Sequence, residues 1–286
     1  MKDRIFIKNK YSGYLVLSAL VLSFVSCALR TLSLVFFYDA DVAYYREGAV
    51  LPIVSDTLFA LSIALFAVLA LIIPKDERSQ PMCLPDKSAR LSAIVPAVAL
   101  VLQVIGIFGA SGTESNSTLP LIIGACALIS TVFFATLAFS AQPSPITALT
   151  GVGFMIWAAL SWYVSYADFY VPMNSPDKLY FHLACISAAL FAIEELRVSY
   201  SFANTRLYLF SLSASILALT TEAIPSLIAG FTGVFRVYNT KAEDLVLFAL
   251  LIYLATRAVR LLWTDDSRTE STRPNEEQKD TAPTHD

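Results

Sequence analysis

Charge is scarce in this chain. Only 15% of its 286 residues are Asp, Glu, Lys or Arg, against roughly 25% in a soluble domain. That shortage excludes an ordinary solvated surface over most of the length. A net charge of −3 excludes the basic footprint of a nucleic-acid binder, and no nucleic-acid partner is expected. Histidine is nearly absent, with only His182 and His285, which argues against a haem or zinc ligand set. The four cysteines, Cys27, Cys83, Cys126 and Cys185, form no Cys-x-x-Cys pair; neither a disulfide framework nor a zinc site fits their spacing. Phosphate-loop and dinucleotide glycine patterns are missing as well. No cofactor and no catalytic chemistry are expected.

Long apolar runs take the place of what is missing. Hydrophobic residues make up 56% of the chain. Apolar stretches lie near 13–37, 51–73, 91–110, 119–140, 146–167, 179–196, 207–230 and 243–263. A run of ~20 apolar residues matches the ~30 Å hydrocarbon core of a bilayer. Only helices and closed barrels satisfy the backbone in lipid, and continuous runs without dyad alternation choose helices. The expected fold is an all-α integral membrane protein, a bundle of eight transmembrane helices over 1–263, with a disordered cytoplasmic tail at 264–286. The first apolar run continues past Cys27 to Phe37, too long for the core of a secretory signal, so it reads as an uncleaved span.

Basic residues orient the bundle. With the N-terminus inside, the outer segments hold Arg46, Lys178, Arg236 and Lys241, and Arg30 lies within a span. The other fifteen of the 20 Lys and Arg residues fall inside. The positive-inside bias therefore predicts both termini on the cytoplasmic side, in a bacterial cytoplasmic membrane. Asn116-Ser117-Thr118 matches a glycosylation sequon in an outer loop, without meaning in such a membrane. A 4+4 tandem repeat is a further expectation. Ser62–Val68 in span two resembles Ser187–Ile193 in span six, and Arg90-Leu91 before span three resembles Arg206-Leu207 before span seven. Two parallel repeats would be related by an axis along the membrane normal, although Leu/Ala/Phe-rich helices also align by composition alone.

Ionisable groups inside spans are costly and mark partners or function. At ~1.5 Å per residue, Arg30, Asp56, His182 and Glu222 all fall in the outer half of their spans. An Arg30–Asp56 ion pair is the economical expectation, because a short outer loop joins spans one and two. That leaves Glu222 over, with Gln103 or Arg30 as partners. Pro225, three residues after Glu222, frees a backbone carbonyl near Thr221 and suggests either a broken helix beside an acid or an ordinary kink. Trp157, Trp162, Tyr163, Tyr166 and Tyr170 mark span five, as an interfacial belt or as an aromatic wall for a ligand. Arg30, Asp56, Tyr166, His182 and Glu222 are the candidate binding residues.

Glu194-Glu195 invites comparison with intramembrane metal-dependent proteases. Their motif needs Arg four residues after the second Glu, where this chain has Ser199. Glu194, Glu195 and Arg197 read instead as a solvated cytoplasmic helix end.

Pro172-Met173-Asn174-Ser175-Pro176-Asp177-Lys178, leading into a span that ends Glu195-Leu196-Arg197, resembles multi-pass membrane proteins of Gram-positive anaerobic bacteria. The resemblance covers spans five to seven and implies no particular activity. Physically the segment is a rigid outer turn, with Asn174 or Ser175 able to cap span six and Pro176 in its first turn. Two functions stay open. One is a small-solute transporter or ligand-binding membrane protein with an outward-facing polar cavity for a small solute or ion. The other is a regulatory or assembly protein whose buried charges fix helix packing.

Overall fold

The computed structural model describes residues 10–73, 90–110, 118–139, 144–168, 171–172, 175–200, 204–233 and 242–263. The tail from 264, Cys83, Asn116, Tyr170 and Asn174 lie outside the described residues. The apolar stretches form eight helices: α1 Lys10–Phe37, α2 Val50–Ile72, α3 Ile94–Ala110, α4 Thr118–Phe139, α5 Pro145–Ala167, α6 Pro176–Ser199, α7 Thr205–Thr232 and α8 Ala242–Trp263. Seven are long and apolar enough to cross a membrane, and α3 is a shorter apolar helix. A two-stranded hairpin, β1 Tyr38–Asp39 and β2 Tyr44–Tyr45, stands between α1 and α2. It was not foreseen from the pattern of apolar runs.

Local chemistry sets the helix ends. Ser144 accepts from the Thr147 N–H at the start of α5, and Ser175 does the same for Lys178 at the start of α6; Pro145 and Pro176 follow directly. Each hydroxyl satisfies one of the orphan amides of a first turn. Asn204 caps α7, which ends on Gly233 in the left-handed region at φ 73°, where a Cβ would be strained. Along the spans, hydroxyls such as Ser33, Ser62, Ser130 and Thr221 donate to carbonyls of their own helix. The helices thereby carry these polar groups without a partner from outside.

α3, α4, α5, α6, α7 and α8 pack in sequence order and close through an α3–α8 contact, while α1 lies along α7 and α2 sits against both. Aromatic rings fill this closed group. Phe133, Phe134, Phe154, Trp157, Phe191, Tyr208 and Tyr253 contact one another in a chain. Close helix approach is bought by small residues: a Cβ on Gly153 would stand 2.3 Å from Ile129 Cγ2. A twofold exchange of the two halves would require the α1–α7 interface to recur between α5 and α3. These two helices share no comparable interface among the described residues, so the packing does not follow the repeat suggested by the sequence.

The exposed surface is apolar and the interior is partly polar. Phe24, Leu149 and Phe231 stand 76%, 73% and 89% exposed, whereas Arg30, Glu195 and Glu222 are buried. A water-facing protein avoids contiguous apolar surface of this kind; a lipid-facing one requires it. Fold and surface together define a polytopic helical membrane protein.

Candidate functional site

Arg30 and Glu222 form the centre of a buried charged cluster. Arg30 Nη2 donates to Glu222 Oε2 at 2.9 Å, with the two side chains 0% and 1% exposed. Ser226 Oγ donates to the other carboxylate oxygen at 3.1 Å. The guanidinium lies 3.8 Å from the Tyr180 ring centroid, a cation–π contact inside a desolvated site. The Tyr180 hydroxyl donates to Asp56 Oδ1 at 2.7 Å. Four helices thus meet: α1 through Arg30, α2 through Asp56, α6 through Tyr180 and α7 through Glu222.

This overturns the expected Arg30–Asp56 pair. The loop between spans one and two brings their ends together, but the buried face of α1 is turned toward α7. Ala19, Ser23, Ser26, Arg30 and Ser33 recur at three- and four-residue steps and are all buried. On α7, Glu222 meets Arg30, while Ala218 and Ala229 share core clusters with Ala19 and Leu34 of α1. Small residues on both helices allow a close approach, and the two charges meet at matching heights along the seam. That matched small-residue spacing is the signal that could have identified the pair. Gln103, the other partner considered for Glu222, instead accepts from Trp157 Nε1 and donates to Glu243, both at 3.1 Å. Pro225 does not break its helix, because α7 is continuous from Thr205 to Thr232.

His182 and Tyr166 lie apart from this cluster. His182 is two residues beyond Tyr180, so it leaves α6 on another side. There it meets Trp162 and Tyr166 of α5, with ring centroids 5.8 and 6.4 Å away. Trp162, Tyr163 and Tyr166 are 37–51% exposed at the bundle surface. Of the five candidate residues, Arg30, Asp56 and Glu222 come together, and His182 and Tyr166 form a second group.

The hairpin covers the Arg30–Glu222 end of the bundle. Tyr38 and Ala43 pack with Leu34 of α1 and Ala229 of α7, and Tyr45 and Val171 join them. Tyr45 lies within electrostatic reach of Arg30, Asp56, Glu222 and Asp177. Burial raises the Tyr45 hydroxyl above its ordinary range, opposed by Arg30 and aided by the nearby carboxylates, and burial raises Tyr38 likewise. Lys178, in the first turn of α6, donates from Nζ to the Asp168 carbonyl.

A second buried cluster sits at the other end of α6. Arg257 Nη2 donates to Glu195 Oε2 at 2.5 Å, and the Tyr253 hydroxyl donates to Glu195 Oε1 at 2.9 Å. The Tyr208 ring centroid lies 5.5 Å from the guanidinium. Glu194 pairs with Arg197 at 2.8 Å. The solvated helix end read from Glu194, Glu195 and Arg197 is therefore corrected: Glu195 is 1% exposed and only Arg197 reaches the surface. A carboxylate near a span end can turn inward when a neighbouring helix supplies a cation. Here α8 supplies Arg257 one turn beyond Tyr253.

The two clusters differ in how completely they are satisfied. Both oxygens of Glu195 are engaged, by Tyr253 and by Arg257. Arg30 has Nε and Nη1 buried without a hydrogen-bond partner among the described residues, whereas Arg257 leaves only Nε so. Unbonded buried donors cost free energy, and in native proteins each one calls for an explanation.

No family model matches the sequence, and comparison with curated proteins and with solved structures finds no match.

Proposed function

We propose that the chain is an eight-span protein of a bacterial cytoplasmic membrane with both termini on the cytoplasmic side. In this reading it binds a small solute or ion at the Arg30–Glu222 cluster, as a transporter or ligand-binding membrane protein without catalytic chemistry. One observation carries the reading. A fully buried guanidinium on α1 keeps two nitrogens unbonded beside a carboxylate on α7. In a bilayer such residues mark substrate and ion pathways. The positive-inside distribution puts this end of the bundle outside, where the hairpin would stand between the cluster and the external solution. α3, 17 residues long, serves as the eighth span. The test is a thermal-unfolding screen of the detergent-purified chain against a panel of small solutes and ions. A solute that stabilises the wild type but not Glu222→Gln supports the reading, provided the variant remains monodisperse. A panel without any stabilising compound counts against it.

The Glu195 cluster, with both carboxylate oxygens engaged, favours a second reading. There the chain uses a buried ion pair as a helix clamp, and Arg30–Glu222 would be another. In that case the protein is a regulatory or assembly component, and Glu222→Gln alters stability alone.

A further inference from the structure

We infer that the Arg30–Glu222 cluster is built for a small zwitterion, with an ammonium and a carboxylate in one molecule, and that Tyr180 occupies the ligand's place in its absence. The inference rests on the proposed solute-binding reading. Arg30 offers unbonded Nε and Nη1 donors, which call for an anionic or strongly accepting group. A simple anion does not suit the rest of the site. Glu222, Asp56 and the buried Asp177 bring three negative charges within reach of Tyr45, against the one positive charge of Arg30. A simple cation fails for the opposite reason, since it would leave the Arg30 donors unmet and face a guanidinium. A zwitterion satisfies both sides, its carboxylate on Arg30 and its ammonium on Asp56.

Tyr180 already mimics half of that arrangement. Its hydroxyl donates to Asp56, as an ammonium would, and its ring covers the guanidinium at 3.8 Å. Ligand entry therefore means displacing the tyrosine hydroxyl from Asp56. This gives a prediction of unusual sign: removing the hydroxyl should improve binding. Asp56 is exposed whereas Arg30 and Glu222 are buried, so substitution at Asp56 leaves the buried ion pair in place.

The test is calorimetric titration of the full chain in detergent with L-alanine, propionate and ethylamine as probes. The last two each carry one half of the zwitterion. L-Alanine should bind at least about tenfold more tightly than either half. Asp56→Asn should weaken it about tenfold, and Tyr180→Phe, which keeps the ring over Arg30, should tighten it. Arg30→Lys should abolish binding. Because this buried variant can fail to fold, the conclusion is drawn from Asp56→Asn and Tyr180→Phe after their unfolding temperatures are measured. Propionate or ethylamine binding as tightly as L-alanine overturns the zwitterion, and so does an Asp56→Asn variant that binds normally. A stabilising compound from the solute panel that lacks either charge overturns the zwitterion while leaving the solute-binding reading intact. A panel without any stabilising compound removes both.

Discussion

Glu195→Gln isolates a charge with little change of shape, and its cost follows from the geometry around it. The amide can still accept from Tyr253, but Arg257 loses its counter-charge while remaining 6% exposed. Removing one partner of a buried pair costs about 3–5 kcal/mol. For a large domain 1 kcal/mol moves the unfolding temperature by roughly 2–4 °C, so a fall of about 6–20 °C is expected in detergent. Arg257→Met should cost about the same, because it leaves the carboxylate with neutral partners. Glu195→Leu with Arg257→Met should behave differently. Replacing a whole buried pair by apolar side chains is neutral or stabilising by about 1–4 kcal/mol, less about 1–3 kcal/mol for the stranded Tyr253 hydroxyl. The double variant should therefore unfold close to the wild type, and far above the temperature predicted by adding single costs. Thermal unfolding followed by tryptophan fluorescence measures these four proteins and Glu195→Leu alone, which completes the additivity comparison. A single substitution costing under about 1 kcal/mol, against the 3–5 expected of a broken buried pair, would refute the reasoning. So would a double variant equal to the sum of its parts.

Three other outcomes test separate parts of the structure. Gly153→Ala places a methyl against Ile129 Cγ2 at 2.3 Å and should cost about 1–3 kcal/mol by overpacking; Ile129→Ala in the same chain should restore most of the loss in a thermal-unfolding assay. Trp157→Phe removes the donor to Gln103 Oε1 and should cost about 1–3 kcal/mol for the unsatisfied acceptor, which chemical denaturation of the two proteins side by side would measure. Tyr38 and Tyr45 hold their protons more firmly in the hairpin than in an unfolded chain, because burial disfavours the phenolates. Their contribution is thus complete below the ordinary tyrosine range near pH 10 and is lost as pH rises from there through their raised folded values. A thiol introduced by Glu47→Cys should become more reactive to a membrane-impermeant reagent above that pH, after correction for the thiol's own ionisation; a hairpin that tightens with alkali contradicts the sign.

The spans were legible because a run of apolar residues is a one-dimensional signal. The caps of α6 were legible for the same reason: Ser175 and Pro176 act within one turn of themselves. Pairing across the bundle was not. Depth along a helix follows from counting, so Arg30 and Glu222 could be placed at one level, but the partner of Arg30 depends on which way α1 is turned. Chain proximity suggested Asp56; the small-residue seam with α7 decides for Glu222. Glu195 was misplaced by a related error. Residues near span ends read as solvated whenever only their own helix is considered, and the neighbour that buries them is remote in sequence. The hairpin was missed because two-residue strands carry almost no pattern.

Helix lengths in this bundle are unequal. α1 and α7 have 28 residues each and α3 has 17, which at 1.5 Å per residue gives about 42 Å and about 26 Å. The surrounding hydrocarbon is about 30 Å thick. With α3 as the proposed eighth span, lipids beside it, where Val98, Leu102, Ile105 and Phe108 are exposed, would compress, while α1 and α7 would lean or project beyond the acyl chains. On that proposal the annulus around this protein would be thinner beside α3 than beside the longer helices. Bilayers of different acyl length will then not stabilise it in proportion to their thickness, because what relieves the short flank burdens the long one.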